Sequence, residues 1–320
     1  MKKMDKIDLL VQTARLYYEL DYSQQMIAER LNISRPYVSK LINQAKLTGI
    51  VEIKINDPNE TESSLEKRLR QTFDLQRVFV IPTLNGMGGI TLEKLANVAA
   101  KFLNNIISDN DIIGVVWGDT LYECSKRVIS RNDLHGVTVV QLCGGMSKID
   151  RNIFASHISK NFADALNGTP YTLPLPAIVD SEDVKNAILK DRNISDVLNL
   201  GKQANTAIIT IGAFGAQNAL YRAGYLNDEE VESLIKKGAV GDIFSRIINI
   251  DGEVCDKDLD RRTIAIELDD FKKIENRIAV VSGIERAKCL CGALRGGYCN
   301  VLITEETTAT EVLRLCECGD

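Results

Sequence analysis

A chain of 320 residues with 45% hydrophobic side chains is too long for one small module and suits one small domain plus one large domain with its own core. The formal charge of −5 excludes wholesale coating of nucleic acid, but residues 1–57 hold nine Lys and Arg against seven Asp and Glu, so this end is +2 and the remainder −7. No run reaches the roughly 18–20 consecutive apolar residues of a membrane span, and MKKMDKIDLL carries acids where a signal peptide has its apolar core, so a cytoplasmic protein without a membrane partner is expected.

The first predicted helix carries Ile7, Leu10, Val11, Ala14 and Tyr17 and closes one side of a small core. Ile27, Ala28 and Leu31 then recur at helical spacing, and after a short break at Asn32 and Ile33 so do Val38, Leu41, Ile42 and Ala45. Ser34 stands at the N-cap of this next helix, Pro36 falls in its first turn, where a missing N–H costs nothing, and Gly49 ends it. If the apolar stripe faces inward, Pro36, Lys40, Asn43 and Leu47 face outward, flanked by Tyr37, Ser39 and Gln44. Such a polar, weakly basic face suits a recognition helix in the major groove, whereas a plain helical hairpin has no need of it. The candidate DNA-binding residues are Gln24, Ser34, Arg35, Pro36, Tyr37, Ser39, Lys40 and Asn43. Val51, Ile53 and Ile55 alternate as a short strand or wing. Asp57 and Pro58 then break the chain, and Leu65, Leu69 and Phe73 predict a linker helix within residues 58–76.

From Arg77 to the end, β-rich runs alternate with amphipathic helices: VFVIP, TLEKLANVAAKFLNNII, DIIGVVWG, a helix from Thr120 to Val128, and VTVVQLCGG. After YTLPLPAIVD come two helical stretches, TAIITIG, a glycine-rich segment, the helix NDEEVESLIKKG and a β-rich piece from Ile247 to Ile266. RIAVVSG, AKCLCGALRGG, NVLITEE and a helix from Thr307 finish the chain. The expected fold is α/β: a small all-α helix-turn-helix domain over residues 1–57, then a doubly wound, Rossmann-like domain over 77–320.

In such a sheet ligands bind beyond the carboxyl ends of the strands, where glycines admit a close approach. Glycines follow four predicted strands, at Gly118, at Gly144 and Gly145, at Gly212 and at Gly283. One glycine turn needs no ligand; four in register predict a pocket. Thr120 offers a hydroxyl at a helix start, Arg286 a guanidinium fork with Arg222 as a second cation, and Asp119 and Asp242 acceptors for sugar hydroxyls. Together they suit a phosphorylated sugar; neither G-x-G-x-x-G nor G-x₄-G-K-[ST] occurs to favour a nucleotide. His135 and His157 lie outside these loops, and Cys143 has no histidine nearby in sequence, so binding without turnover is expected, with no catalytic residue. The eight cysteines include two C-x-C pairs, Cys289 with Cys291 and Cys316 with Cys318, which read as reduced thiols; no metal and no cofactor is expected.

Five stretches, ARLYYELDYSQQMIAERLNISRPYVSKL, GVVWGDT, VVQLCGGMS, GAVGDIFSR and GALRGGYCNVLITEETTA, together resemble the SorC family of sugar-responsive bacterial transcription regulators over nearly the whole chain. LPLPAIVD and ALYRAGYLNDEE look most like its deoxyribonucleoside regulator branch, whose effector is deoxyribose 5-phosphate. The resemblance implies a helix-turn-helix reader of double-stranded operator DNA, fused to an effector domain similar to sugar-phosphate isomerases and assembled as a homodimer or homotetramer. It places Asp119, Thr120, Gly144, Gly145, Asp242 and Arg286 around a phosphorylated ligand, and with the loop residues Gly118, Cys143, Arg222 and Gly283 they form the candidate effector site. Arg286 stands where the family usually has a lysine, Ser282 replaces a glycine, and Cys143 is a thiol where the branch can carry a lysine. The expected function is a transcriptional regulator, a repressor released from its operator by a sugar phosphate; the alternatives are a family member answering another sugar phosphate or polyol, or an isomerase-like enzyme.

Overall fold

The computed structural model describes residues 6–18, 20, 22–48, 50–51, 63–83, 88–145, 155–215 and 218–317. The chain divides into two compact units, Met1–Thr61 and Glu62–Asp320.

In the first unit α1 (Lys6–Tyr18), α2 (Gln24–Leu31) and α3 (Arg35–Leu47) surround a small apolar core. Leu10, Ala14 and Leu16 meet Ile27 and Ala28 of α2 and Val38, Leu41, Ile42 and Ala45 of α3 there, all buried. The face of α1 differs from the expected one: Ile7 is 62% exposed while Thr13 is fully buried. The helix packs from Leu10 onward, with Tyr17 and Tyr18 edge-to-face at 4.8 Å on its last turn. Ser23 caps α2 by accepting from the Met26 N–H at 3.2 Å. Asn32 then turns the chain in a left-handed conformation (φ 50°, ψ 49°), which asparagine tolerates. Ser34 does occupy the N-cap of α3, but its hydroxyl makes no capping bond, unlike that of Ser23. Gly49, Ile53 and Ile55 lie outside the described residues.

The second unit opens with α4 (Ser64–Phe73), which begins in a reciprocal capping box between Ser63 and Glu66. Residues 58–76 were expected as a separate linker helix, yet α4 belongs to this unit's core: Leu69 is fully buried, and Glu66 accepts the Val80 N–H at 2.8 Å. There follow β1 (Arg77–Ile81), α5 (Gly88–Ile106), β2 (Ile112–Val115), α6 (Asp119–Ser125), β3 (Thr138–Gln141), α7 (Ala155–Ala165), β4 (Thr169–Tyr171), α8 (Glu182–Leu189), α9 (Arg192–Lys202) and β5 (Thr206–Ile209). Then come β6 (Gly212–Ala213), α10 (Ala219–Arg222), α11 (Asp228–Lys236), β7 (Gly241–Ile243), β8 (Arg246–Ile248), α12 (Lys257–Arg262) and α13 (Leu268–Phe271). The unit ends with β9 (Asn276–Val280), a 3₁₀ turn (Ile284–Arg286), α14 (Ala287–Arg295), β10 (Val301–Glu305) and α15 (Glu306–Glu317).

Seven strands form one parallel sheet in the order β1-β10-β9-β5-β2-β3-β4. Read from β4 and setting aside the edge strand β1, the order in sequence is third, second, first, fourth, fifth, sixth, that of a doubly wound dinucleotide-type sheet. Helices cover both faces, so the inner strands are continuous apolar runs: all of TAII in β5 and all of VLITE in β10 are buried. The strand order reverses between β2 and β5, which pair in parallel as Ile113 to Thr206 and Gly114 to Ala207, and this leaves a crevice beyond their carboxyl ends.

A second, antiparallel sheet, β6-β7-β8, fills the glycine-rich region after β5. The β-rich piece expected from Ile247 to Ile266 is mostly not strand, because Asp256 accepts the N–H groups of Asp258 and Leu259 and starts α12 there. A two-residue turn joins β7 to β8, with Phe244 (φ 53°) and Ser245 (φ 68°) both left-handed. Hairpin turns of this kind ordinarily carry asparagine or glycine.

Candidate functional site

The candidate DNA-binding residues lie in the first unit and the candidate effector residues in the second. On α3 the buried stripe Val38, Leu41, Ile42 and Ala45 turns Arg35, Pro36, Tyr37, Lys40 and Asn43 into solvent, with Tyr37 38% exposed. Ser34 is exposed, while Ser39 and, at the start of α2, Gln24 are half-buried. The helix thus offers hydroxyl, amide and cationic groups along one open face.

In the second unit the crevice between β2 and β5 opens into a cavity of about 450 Å³. One wall is Trp117, Gly118, Asp119 and Thr120 after β2; another is Thr210 to Gly215 after β5; Cys143, Asn218 and Arg222, the hairpin residues Asp242, Phe244 and Ser245, and Arg286 lie around the rest. Seven of the ten candidate effector residues line this space: Gly118, Asp119, Thr120, Cys143, Arg222, Asp242 and Arg286. Gly144, Gly145 and Gly283 do not. Their N–H groups are already taken, by the carbonyls of Ile264 (2.8 Å) and Leu175 (2.9 Å) and by the Glu305 carboxylate (2.7 Å). Gly144 is a packing residue: a Cβ there would sit 2.2 Å from the Pro176 carbonyl oxygen. His135 and His157 are exposed and outside the cavity.

The polar floor centres on Asp242. Its Oδ1 accepts from Asn218 Nδ2 at 3.0 Å and its Oδ2 from the Ser245 N–H at 3.3 Å. Asn218 is held in turn, donating to the Ala213 carbonyl at 2.9 Å and accepting from the Leu220 N–H at 2.9 Å. Gly212 makes room for this carboxylate, since a Cβ there would come within 2.4 Å of Oδ1. Burial pushes the Asp242 carboxyl up to about 6, partly offset by the Asn218 and Ser245 bonds and the nearby Arg286 charge. Arg286 is oriented by its own bond to the Ser282 carbonyl at 2.7 Å. Burial raises the Cys143 thiol to about 12, so this sulfur is a neutral neighbour rather than a nucleophile. Arg222 and Asp119 are exposed at the mouth.

The arrangement sets fixed hydrogen-bonding groups at depth and guanidinium groups within the same space. Residues 57–314 match the family model described as "Putative sugar-binding domain". The chain is 41% identical to the deoxyribonucleoside regulator of Bacillus subtilis (strain 168) over 95% of its own length and 97% of that protein. The chain belongs to the SorC family of sugar-binding transcriptional regulators. It is also 27% identical to the sorbitol operon regulator of Klebsiella pneumoniae over 98% of this chain and all of that protein. The crystal structure of that full-length SorC regulator superposes with a TM-score of 0.80, covering 97% of this chain and all of the other. These relatives are named as regulators, one of them of an operon, and this SorC-family chain is accordingly a transcriptional regulator.

Sequence reasoning missed several wall residues of the regulator, among them Trp117, Thr210, Asn218, Phe244 and Ser245. For Asn218 no periodic signal exists; it sits in a segment read only as glycine-rich. Ser245 lies in the GAVGDIFSR stretch, but nothing in that string announces that its hydroxyl is fully buried without a hydrogen-bond partner among the described residues. Trp117 likewise buries its indole N–H, which lies against the Cys143 thiol. An orphaned hydroxyl costs about 1–3 kcal/mol and a left-handed non-glycine residue about 1–2 kcal/mol. The cavity wall therefore concentrates two unfavourable features at Ser245.

Proposed function

We propose that this regulator is a repressor that binds a palindromic operator as a cytoplasmic homodimer or homotetramer and leaves it when a phosphorylated pentose or deoxypentose, deoxyribose 5-phosphate foremost, fills the cavity. The observation that carries the reading is the meeting of Arg286 and Thr120 with the Asp242–Asn218 pair in one space at the strand-order reversal. The guanidinium and the threonine hydroxyl suit a phosphate, and the acceptors suit sugar hydroxyls. The 41% identity to a protein named for deoxyribonucleosides supports deoxyribose 5-phosphate as the first ligand to try. On the DNA side, Lys40 and Asn43 lie on the exposed face of α3, with Tyr37 and Ser39 beside them, where a recognition helix carries its base and phosphate contacts. The effector acts by biasing the spacing of two reader units, because half-sites must match a groove repeat of roughly 34 Å.

The test is fluorescence anisotropy of the full chain on DNA from upstream of its own gene, titrated with deoxyribose 5-phosphate, ribose 5-phosphate and fructose 6-phosphate. Release by deoxyribose 5-phosphate alone is the expected outcome. Release by one of the others keeps the regulator and moves the effector; tighter binding on addition of a sugar phosphate overturns the repressor role. A turnover assay on the same three compounds is expected to show no product.

A further inference from the structure

Glu305, at the junction of β10 and α15, is 4% exposed and lies outside the cavity, and it makes no ion pair among the described residues. A buried carboxylate without a counter-ion is costly unless hydrogen bonds satisfy it. Here one oxygen, Oε1, accepts from the Gly283 N–H at 2.7 Å, from the Ser282 hydroxyl at 3.1 Å and from the Thr308 hydroxyl of α15 at 3.3 Å. The first two donors belong to the loop that leads into Arg286. Arg286 is tied back to the same two residues: its N–H donates to the Gly283 carbonyl at 2.9 Å and its Nη1 to the Ser282 carbonyl at 2.7 Å. Main chain and guanidinium of Arg286 are thus both anchored to the residues that Glu305 grips.

Building on the reading of the cavity as a sugar-phosphate site, we infer that Glu305 is a positioning residue of that site, holding Ser282 and Gly283 so that the Arg286 guanidinium stands ready for the phosphate. A guanidinium carries five N–H donors, and the bond to Ser282 uses one of them, so donors remain for phosphate oxygens. An arginine side chain loses rotamer freedom when a ligand fixes it; held in advance, that loss does not fall on binding. The charge on Glu305 matters because a carboxylate holds an N–H roughly twice as strongly as a neutral acceptor does. The Ser282 hydroxyl is a second hold: glycine there would keep the carbonyl for Arg286 and lose the bond to Glu305. Neither Glu305 nor Ser282 lines the cavity, so an effect of either on the ligand passes through the loop.

The test is thermal melting of the full-length Glu305→Gln and Ser282→Ala proteins, each substitution made alone and together with Arg286→Ala, without ligand and with deoxyribose 5-phosphate, ribose 5-phosphate or fructose 6-phosphate. Ligand-induced shifts in melting temperature report affinity down to weak binders. For the sugar phosphate that the unaltered protein binds best, Glu305→Gln is expected to lose about tenfold in affinity and Ser282→Ala about threefold. Once Arg286 is alanine, neither substitution is expected to lower the affinity further, because the group they position is gone. Losses of the same size in both backgrounds overturn the inference and mark a structural carboxylate; so does unchanged affinity in Glu305→Gln. If Glu305→Gln does not fold, Ser282→Ala in the two backgrounds decides alone by the same criterion. If the unaltered protein binds none of the three sugar phosphates, the reading of the cavity itself fails and the inference with it, before any variant is compared.

Discussion

Lys40 and Asn43 of α3 stand in solvent above a floor of four buried apolar side chains, whereas Asp242 and Ser245 are buried inside a unit whose sheet is covered on both faces. The first arrangement costs almost nothing to maintain, because exposed polar groups are hydrated until a ligand displaces the water. The second is costly: a carboxyl pushed up to about 6, a hydroxyl without a partner among the described residues and a strained turn. A large core can carry such costs where a three-helix core cannot. The reader therefore works with surface groups on a small scaffold, and the effector site with buried groups that a large scaffold holds in place.

Leu41→Ala tests this division most severely. Leu41 is fully buried in the small unit, and losing it costs about 2–5 kcal/mol, a large share of what three short helices hold. Operator binding is expected to vanish while calorimetric binding of a sugar phosphate is unchanged; loss of both would mean that the units do not fold independently.

Next in size is the pH dependence that Asp242 brings. Below about pH 4 both folded and unfolded chains hold its proton; between about 4 and 6 the folded chain alone does, so stability falls as pH rises through that window, by about 3 kcal/mol in all, and stays lower above it. Melting curves of the protein and of Asp242→Asn across pH 4–7 should diverge by that amount, with the decline missing from the variant. Parallel curves would show that Asp242 is solvated.

Arg286→Ala removes the best-placed guanidinium and should weaken sugar-phosphate affinity by about 1.5–3 kcal/mol while the ligand-free protein binds operator as before. Loss of DNA binding without effector would instead assign Arg286 to the fold, through its bond to Ser282. The smallest effect expected is on the reader: Asn43→Ala should cost about 1–2 kcal/mol on operator DNA and little on random DNA, measured by anisotropy. An equal loss on both would count against base readout.

Much of the reader was legible in the residues because a helix at the surface repeats its burial every 3.6 positions, and Val38, Leu41, Ile42 and Ala45 report that period directly. Ile7 misled for the same reason, since periodicity says which residues share a face but not where along the helix the packing begins. Likewise the strands and the glycine turns at Gly118 and Gly212 could be read from runs and breaks. What could not be read was which glycine faces a ligand: Gly118 lines the cavity and Gly144 packs against Pro176, yet both follow a strand in the same local pattern.

By itself the sequence determined the two-part organisation, the alternation of strand and helix and the chemistry available at the strand ends, because these follow from local period, turn residues and residue type. Only the tertiary structure decided that α4 joins the large core, that Asn218 meets Asp242 across 24 positions, and that the Ser245 hydroxyl is buried without a partner among the described residues. These depend on which segments meet in space, and a buried polar group acquires its cost, and so its meaning, from neighbours that no local pattern names.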